Sequence, residues 1–237
     1  MIKDIMAKNK DVLPNSYEIE KLKQVFPQYF DKEGNFDFDN FKQNLENNGV
    51  SFSNESFGLN FLGKQYARLQ AGLDTETVIT PDLEHNNKPE NKNSENIYIK
   101  GDNIDALRHL LKSYAGKIKC IYIDPPYNTG SDGFAYPDKF EYSKEDFERM
   151  GLSDEEAERI LSLKGKSSHS AWLSFMYPRL ILARDLLSDD GVIFMSIDYN
   201  ENYNLRNMAE LVFGDIFFVG EIYWESKTKS QNTSTSL

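Results

Sequence analysis

The chain has 237 residues, of which 39% are hydrophobic and 13% aromatic, and its net charge is −11. This composition supports a packed core and excludes global disorder. The negative net charge argues against binding nucleic acid through bulk electrostatics. Such binding would require that the basic groups gather on one face or lie in a part of the protein outside this chain. Because no apolar run reaches transmembrane length and the N-terminus lacks an apolar signal region, we expect a soluble cytoplasmic protein that makes no membrane contact.

Helical periodicity characterises the first third of the chain. Apolar residues recur at helical spacing in 16–27, in the second half of 29–48 and in 57–73, with a turn after the first of these stretches. We therefore predict an N-terminal helical region over residues 1–81, which begins with a helix–turn–helix.

A polar segment without apolar periodicity follows this region. Residues 82–96 read DLEHNNKPENKNSEN, which predicts a linker and a domain boundary. His85 lies in this segment without other metal-binding residue types at ligand spacing, so we predict a solvated histidine and no metal site.

Beyond the linker, predicted strands alternate with predicted helices. This order is typical of an α/β fold with a Rossmann-like, doubly wound, mostly parallel sheet. We predict an incomplete fold of this kind over residues 97–225, carrying the N-terminal helices as an appendage, and a polar tail over 226–237. The predicted strands are 96–100, 118–123, 192–197 and 217–224, and the helical segments are 103–111, 141–158, 170–187 and 202–213.

The single cysteine and the acidic strand ends are the next informative features. Cys120 lies in an apolar strand, so we predict a small core residue, and a lone cysteine fits a reducing compartment. Asp102, Asp124 and Asp198 each follow a predicted strand, at the edge where doubly wound sheets bind ligands. Asp198 is the weakest of these candidates.

The motif Asp124-Pro125-Pro126-Tyr127 carries the most specific chemistry. An exocyclic amine on a purine is a poor nucleophile because its lone pair is delocalised into the ring. The Asp124 carboxylate and the Pro125 carbonyl are suited to accept its two N–H groups and so to localise the lone pair. Two prolines stiffen the loop, and Tyr127 offers a face on which an extruded base can stack. A plain strand-ending turn, with Asp124 as a cap, is the competing interpretation.

Longer stretches around this motif resemble a known family. YIDPPYNTGSDGFAY, preceded by GDNIDALRHLLKSYAGKIKC, resembles the modification (Mod) subunits of Type III restriction–modification systems, which are β-class adenine-N6 DNA methyltransferases. FGLNFLGKQYARL, AWLSFMYPRLILARDLL and GVIFMSIDYNE are also similar to this family. The resemblance covers roughly residues 17–224.

The resemblance implies a role for each matching residue. Asp124, Pro125, Pro126 and Tyr127 would form the catalytic loop around a flipped adenine. An aspartate at the head of the motif favours adenine over cytosine. The resemblance also implies S-adenosylmethionine as cofactor, double-stranded DNA as substrate, a Mod homodimer and a restriction (Res) subunit as partner.

The cofactor pocket is expected near Asp102 and Asn103. By the resemblance these residues belong to the pocket for S-adenosylmethionine, where the Asp102 carboxylate would accept hydrogen bonds from its adenine end. The alternative is that Asp102 or Asn103 is only the N-cap of the following helix. The residues themselves favour neither interpretation, and both can hold together.

The chain also departs from the family pattern. β-class enzymes carry a target-recognition region and a Phe-x-Gly-x-Gly cofactor loop after the catalytic motif, and no such loop follows Trp224. We therefore expect an N-terminal portion of such an enzyme, weak or inactive alone. The alternatives are an amino-methyltransferase acting on cytosine N4 or on a protein amide, and a non-catalytic module that binds a partner subunit.

Overall fold

The protein forms a mixed helix and strand structure around one central helix. The structure, a computed structural model, describes residues 16–50, 58–135, 147, 153–163 and 168–224. Short 3-10 helices lie at Pro27–Tyr29, Pro89–Asn91 and Asp215–Phe217. The helices are α1 (Ser16–Val25), α2 (Phe38–Asn47), α3 (Lys64–Gly72), α4 (Leu83–Asn86), α5 (Asn103–Tyr114), α6 (Asp154–Leu161), α7 (His169–Leu186) and α8 (Asn202–Phe213), and the strands are β1 (Ile118–Ile123) and β2 (Leu187–Met195).

The first two helices form the predicted helix–turn–helix. The Asp31 carboxylate ties the turn together by accepting hydrogen bonds from the backbone N–H groups of Glu33 and Asn35. Phe41 of α2 packs edge-on against Tyr29, with ring centroids 5.0 Å apart. Aromatic contacts of this kind give this short region a small apolar cluster of its own.

Helix α7 is the centre of the core. The sequence predicted a helix over 170–187, and α7 is buried on nearly all sides because α3, α5, α8 and β2 all pack around it. Ala67 and Ala71 allow α3 to approach closely, and Trp172, Leu180 and Leu182 of α7 are almost completely buried. A helix that is apolar all round is stable only in such an interior position.

A glycine at the start of α3 is required by this packing. Gly63 has a φ of +87°, and a Cβ at this position would lie 2.6 Å from the Ser174 Oγ of α7. The Ser174 hydroxyl also donates to the Leu62 carbonyl at 2.9 Å, which fixes its position.

The exchange Gly63→Ala is therefore expected to lower the free energy of unfolding by about 1–3 kcal/mol, because it combines left-handed strain with a clash. Urea unfolding of the chain measures this change. Gly72→Ala is the matched control, since a Cβ there meets nothing within 4 Å. An equal loss in both variants would contradict the packing argument.

The sheet in the described residues has two parallel strands. Ile121 pairs with Ile193, and Ile123 pairs with Met195. These four side chains face the helices and pack against the buried core. Helices α6 and α7 lie between the two strands in sequence, as expected for a parallel crossover connection.

Three sequence predictions about the sheet are wrong. Cys120 is exposed, because no described element covers its side of the sheet, which it shares with Tyr122, Val192 and Phe194. Residues 96–100 and 217–224 do not form strands, since no described strand lies beside them to complete the backbone hydrogen bonds. The doubly wound sheet is thus not formed by the described residues.

The remaining predicted segments are placed as follows. The linker 82–96 contains only α4 and a short 3-10 helix, both exposed. The second half of the acidic segment forms α6, which begins with a capping box between Ser153 and Glu156. Residues 141–146, 148–152 and 226–237 lie outside the described residues. None of the described helices is both long and apolar enough to span a membrane.

Candidate active site

The motif Asp124-Pro125-Pro126-Tyr127 lies in a loop at the carboxyl end of the sheet, and Asp124 is its exposed residue. Asp124 directly follows β1, and Asp198 follows β2 by three residues. Because the strands are parallel and stay paired to Ile123 and Met195, with Ser196 N donating to Ile123 O at 3.0 Å, both acidic residues lie at the same edge. The Asp124 carboxylate is exposed and accessible to a substrate.

The two ends of the motif are joined by a hydrogen bond. The Tyr127 hydroxyl donates to Asp124 Oδ1 at 2.8 Å, and the tyrosine ring is half-buried. This hydrogen bond, followed by partial burial and by the negative charge of Asp124, raises the pKa of Tyr127 above its ordinary value. The neutral phenol is therefore the form that the folded loop favours.

This contact predicts a distinct alkaline titration. A raised phenol pKa contributes stability that is present below the ordinary value of 10.0 and is lost as the pH rises above it. In a Tyr223→Phe background, which removes the other described phenol whose pKa is raised, the ultraviolet absorbance of tyrosinate should show one late component from Tyr127. Asp124→Asn should move that component to lower pH, and Tyr127→Phe should remove it. An unchanged titration in Asp124→Asn would show that the carboxylate does not hold the phenol.

The two proline carbonyls of the motif differ in their partners. The Trp172 indole N–H donates to the Pro126 carbonyl at 2.7 Å from a fully buried position on α7. No hydrogen bond from the described residues reaches the Pro125 carbonyl. Among the described residues the Pro125 carbonyl is thus left without a hydrogen-bond donor, and Pro125 itself is buried, whereas the preceding Asp124 is exposed.

The residue after the motif is held by a buried carboxylate. Asn128 has a φ of 57°, and its side-chain Nδ2 donates to Glu201 Oε1 at 2.5 Å. His169 Nδ1 lies 2.8 Å from the same oxygen, and Asn204 Nδ2 donates to Oε2 at 2.7 Å. The Glu201 side chain is completely buried at the start of α8.

Sequence reasoning missed these supporting residues. Trp172 was predicted only as part of an apolar helix face, and Glu201 and His169 carried no signal in the sequence pattern. The Asn-Thr-Gly run that begins at Asn128 is a turn signal that pointed to special backbone geometry at this position.

The predicted cofactor residues lie at the start of α5. Asp102 is the N-cap of this helix, because its Oδ1 accepts a hydrogen bond from Ile104 N at 2.8 Å. Asn103 Oδ1 accepts from Arg179 Nε at 2.6 Å, and an Arg179 guanidinium nitrogen lies 3.9 Å from Asp102. The exposed Asp102 carboxylate can accept hydrogen bonds from the amino and hydroxyl groups of an adenosyl group. This acceptor therefore fits the expected cofactor, S-adenosylmethionine.

Comparison with known proteins identifies several relatives of this chain. The chain is 47% identical over 249 residues to the StyLTI Mod subunit of a Type III restriction–modification enzyme from Salmonella typhimurium, covering 100% of this chain and 38% of that protein. It is 45% identical to the EcoP15I Mod subunit of Escherichia coli (94% of this chain, 35% of that protein). It is 49% identical to the EcoPI Mod subunit of Escherichia phage P1 (88% and 33%).

The chain thus spans little more than a third of the length of these relatives. A family model described as DNA methylase, of the N6/N4 methyltransferases, matches residues 118–236. This segment begins at the first residue of β1 and includes the acidic motif, α7, β2 and α8. The chain therefore belongs to the DNA methylase family.

Proposed function

We propose that this chain supplies the catalytic loop of a site-specific DNA adenine-N6 methyltransferase, the modification subunit of a Type III restriction–modification system. One observation carries the proposal: the exposed Asp124 is followed by Pro125, a buried residue whose carbonyl accepts no hydrogen bond from the described residues, and the next carbonyl is fixed by Trp172. Two acceptors on a rigid loop are what a planar amine with two N–H groups requires. The Mod relatives support the same reaction.

The loop would activate the amine through its hydrogen bonds. Asp124 accepts one N–H of a flipped adenine, and the Pro125 carbonyl accepts the other, which localises the nitrogen lone pair. S-adenosylmethionine, when bound, supplies an electrophilic methyl group on a sulfonium. Fixed acceptors need no reorganisation as positive charge develops on the nitrogen, and this preorganisation lowers the barrier.

The Tyr127 hydroxyl must leave Asp124 when a base enters. Its hydrogen bond occupies Asp124 Oδ1 in the free loop, where the amine would bind. The ring would then stack on the flipped base, and base–aromatic stacking contributes about 1–3 kcal/mol. The loop is thus held by its own tyrosine until the substrate replaces that contact.

The cofactor and partners of the whole protein are also part of the proposal. S-adenosylmethionine binds near Asp102 and Asn103, where the helix cap uses only one oxygen of the Asp102 carboxylate. Double-stranded DNA is the substrate, and the complete protein forms a Mod homodimer that binds a Res subunit. The names of the relatives, all Mod subunits of Type III enzymes, support this assignment.

We further propose that β1 and β2 belong to a larger, doubly wound and mostly parallel sheet. Parallel sheets are normally covered on both faces, whereas Tyr122 and Phe194 are exposed on the side that no described helix covers. The domain division remains 1–81, 82–96, 97–225 and 226–237.

A chimera tests the proposed reaction. Residues 16–224 replace the corresponding segment of the StyLTI Mod subunit, and the protein receives S-adenosylmethionine labelled in its methyl group. DNA duplexes that carry adenine or cytosine in alternative sequence contexts are the acceptors. We expect label in N6-methyladenine. Label in N4-methylcytosine, in protein or in neither base would contradict the proposal, the last outcome favouring a non-catalytic assembly module.

A further inference from the structure

We propose that Glu201 is a positioning residue for the catalytic loop, acting through Asn128 on the geometry of Asp124 and Tyr127. The inference rests on the proposed function for its catalytic consequence. Its structural basis is independent of that function, because it concerns a buried carboxylate on α8 and the loop that this carboxylate holds.

The Glu201 carboxylate is buried, and both of its oxygens have hydrogen-bond partners. Its side chain is 0% exposed, and Asn128, His169 and Asn204 approach it at 2.5, 2.8 and 2.7 Å. Burying an ionised carboxylate is costly unless it is hydrogen-bonded or paired. An apolar side chain could fill this core position. The carboxylate instead contacts three segments: the loop at Asn128, α7 at His169 and α8 at Asn204.

The Asn128 contact reaches the active loop directly. Asn128 follows Tyr127, and its left-handed φ of 57° is a conformation that asparagine tolerates better than most residues. Its backbone N–H donates to Asp132 Oδ2 at 2.6 Å, while its side chain reaches Glu201. The side-chain oxygen of Asn128 is buried and has no hydrogen-bond partner among the described residues, so Glu201 is the contact that fixes this amide.

Two anchors therefore hold the loop on either side of Tyr127. The Trp172 indole fixes the Pro126 carbonyl before it, and the Glu201 carboxylate fixes Asn128 after it. Because the peptide between the anchors is short and the prolines are stiff, loss of either anchor would shift the Asp124 and Tyr127 side chains together.

The chemistry of the contact requires an acceptor on both carboxylate oxygens. Glu201 Oε1 accepts from Asn128, and Oε2 accepts from Asn204. In Glu201→Gln the side-chain shape is retained, but the negative charge is lost and one of the two acceptor oxygens becomes an amide donor, which weakens the charge-assisted contacts to Asn128, His169 and Asn204. The two contacts offer a matched pair of variants: Asn128→Ala breaks the loop contact, and Asn204→Ala breaks the contact within α8.

A spectroscopic experiment tests the anchoring without any methyl transfer. In a Trp224→Phe background, Trp172 is the only tryptophan in the 237-residue chain. Since Trp172 contacts the loop, Glu201→Gln and Asn128→Ala should raise its acrylamide quenching constant about twofold through local opening of the loop. Asn204→Ala should leave the quenching unchanged. Equal quenching in all four proteins would overturn the anchoring.

Kinetics of the chimera test the catalytic consequence. Glu201→Gln and Asn128→Ala should each lower kcat by about 10- to 100-fold, since small misplacements of reacting groups have effects of this size. The KM for DNA and cofactor should change little. The double variant should be no slower than either single variant, and Asn204→Ala should lower the Tm while retaining kcat. A role in stability alone predicts that kcat follows the folded fraction in every variant.

The outcomes separate the two proposals. If the wild-type chimera transfers no methyl group but Glu201→Gln still exposes Trp172, the proposed function fails and the anchoring stands. If methyl transfer depends on Asp124 but Glu201→Gln retains both kcat and quenching, the positioning role fails and the proposed function stands.

Discussion

Asp124→Ala is expected to lower kcat for adenine methylation by about 10²–10³-fold in the chimera with the StyLTI Mod subunit, a loss typical of removing one fixed group that stabilises a transition state. In the proposed mechanism the Asp124 carboxylate is the charged acceptor for the amine. Steady-state methylation of DNA, with cofactor and DNA varied separately, measures the effect. The KM values should change less than kcat.

The control for the Asp124 exchange is an acidic residue near the opposite end of the same two strands. Asp190→Ala removes an exposed carboxylate of β2 that pairs with Lys119 of β1. It should retain kcat, because this ion pair is exposed and Lys119 lies at the amino end of β1, at the opposite end of the strand from the loop. Both Asp124 and Asp190 are exposed, so neither exchange should change the Tm greatly. Full methyl transfer by Asp124→Ala would refute the proposed chemistry.

The local sequence pattern predicted the helices and the two central strands. It failed for segments whose structure depends on a neighbouring strand. The strand at 118–123 was predicted with its observed bounds, and the strand predicted at 192–197 is observed at Leu187–Met195; both lie side by side and face α7. Segments 96–100 and 217–224 have the same apolar character, but Tyr98 and Trp224 are exposed and unpaired. A strand depends on hydrogen bonds to a neighbour, and no local sequence pattern specifies whether that neighbour is present.

The candidate site shows the same difference between residues of a local motif and residues that contact it from distant parts of the sequence. The chemistry of Asp124 and Tyr127 could be predicted because the motif is contiguous and follows a strand. Trp172 and Glu201 could not, since they reach the loop from 46 and 73 residues away in the sequence. Residues that hold a loop are selected by the fold and carry no motif, so only the three-dimensional structure identifies them.

Trp172→Ala is expected to lower the free energy of unfolding by about 3–5 kcal/mol, the range for removing a fully buried large aromatic side chain. Trp172 is 0% exposed in the largest apolar cluster, and its indole also satisfies the Pro126 carbonyl. Urea unfolding followed by circular dichroism measures the change. Trp224→Ala is the matched control, because Trp224 is 89% exposed and should contribute little.

Trp172→Phe separates the two contributions of this side chain. Phenylalanine fills much of the cavity but cannot donate to Pro126, so the loss of stability should be smaller, about 1–3 kcal/mol, and the loop should lose its anchor. We therefore expect Trp172→Phe to reduce methyl transfer by a larger factor than its loss of folded protein explains. If activity followed the folded fraction alone, the indole would be a core residue without a role in the loop, and Glu201 would be the one anchor that the chemistry requires.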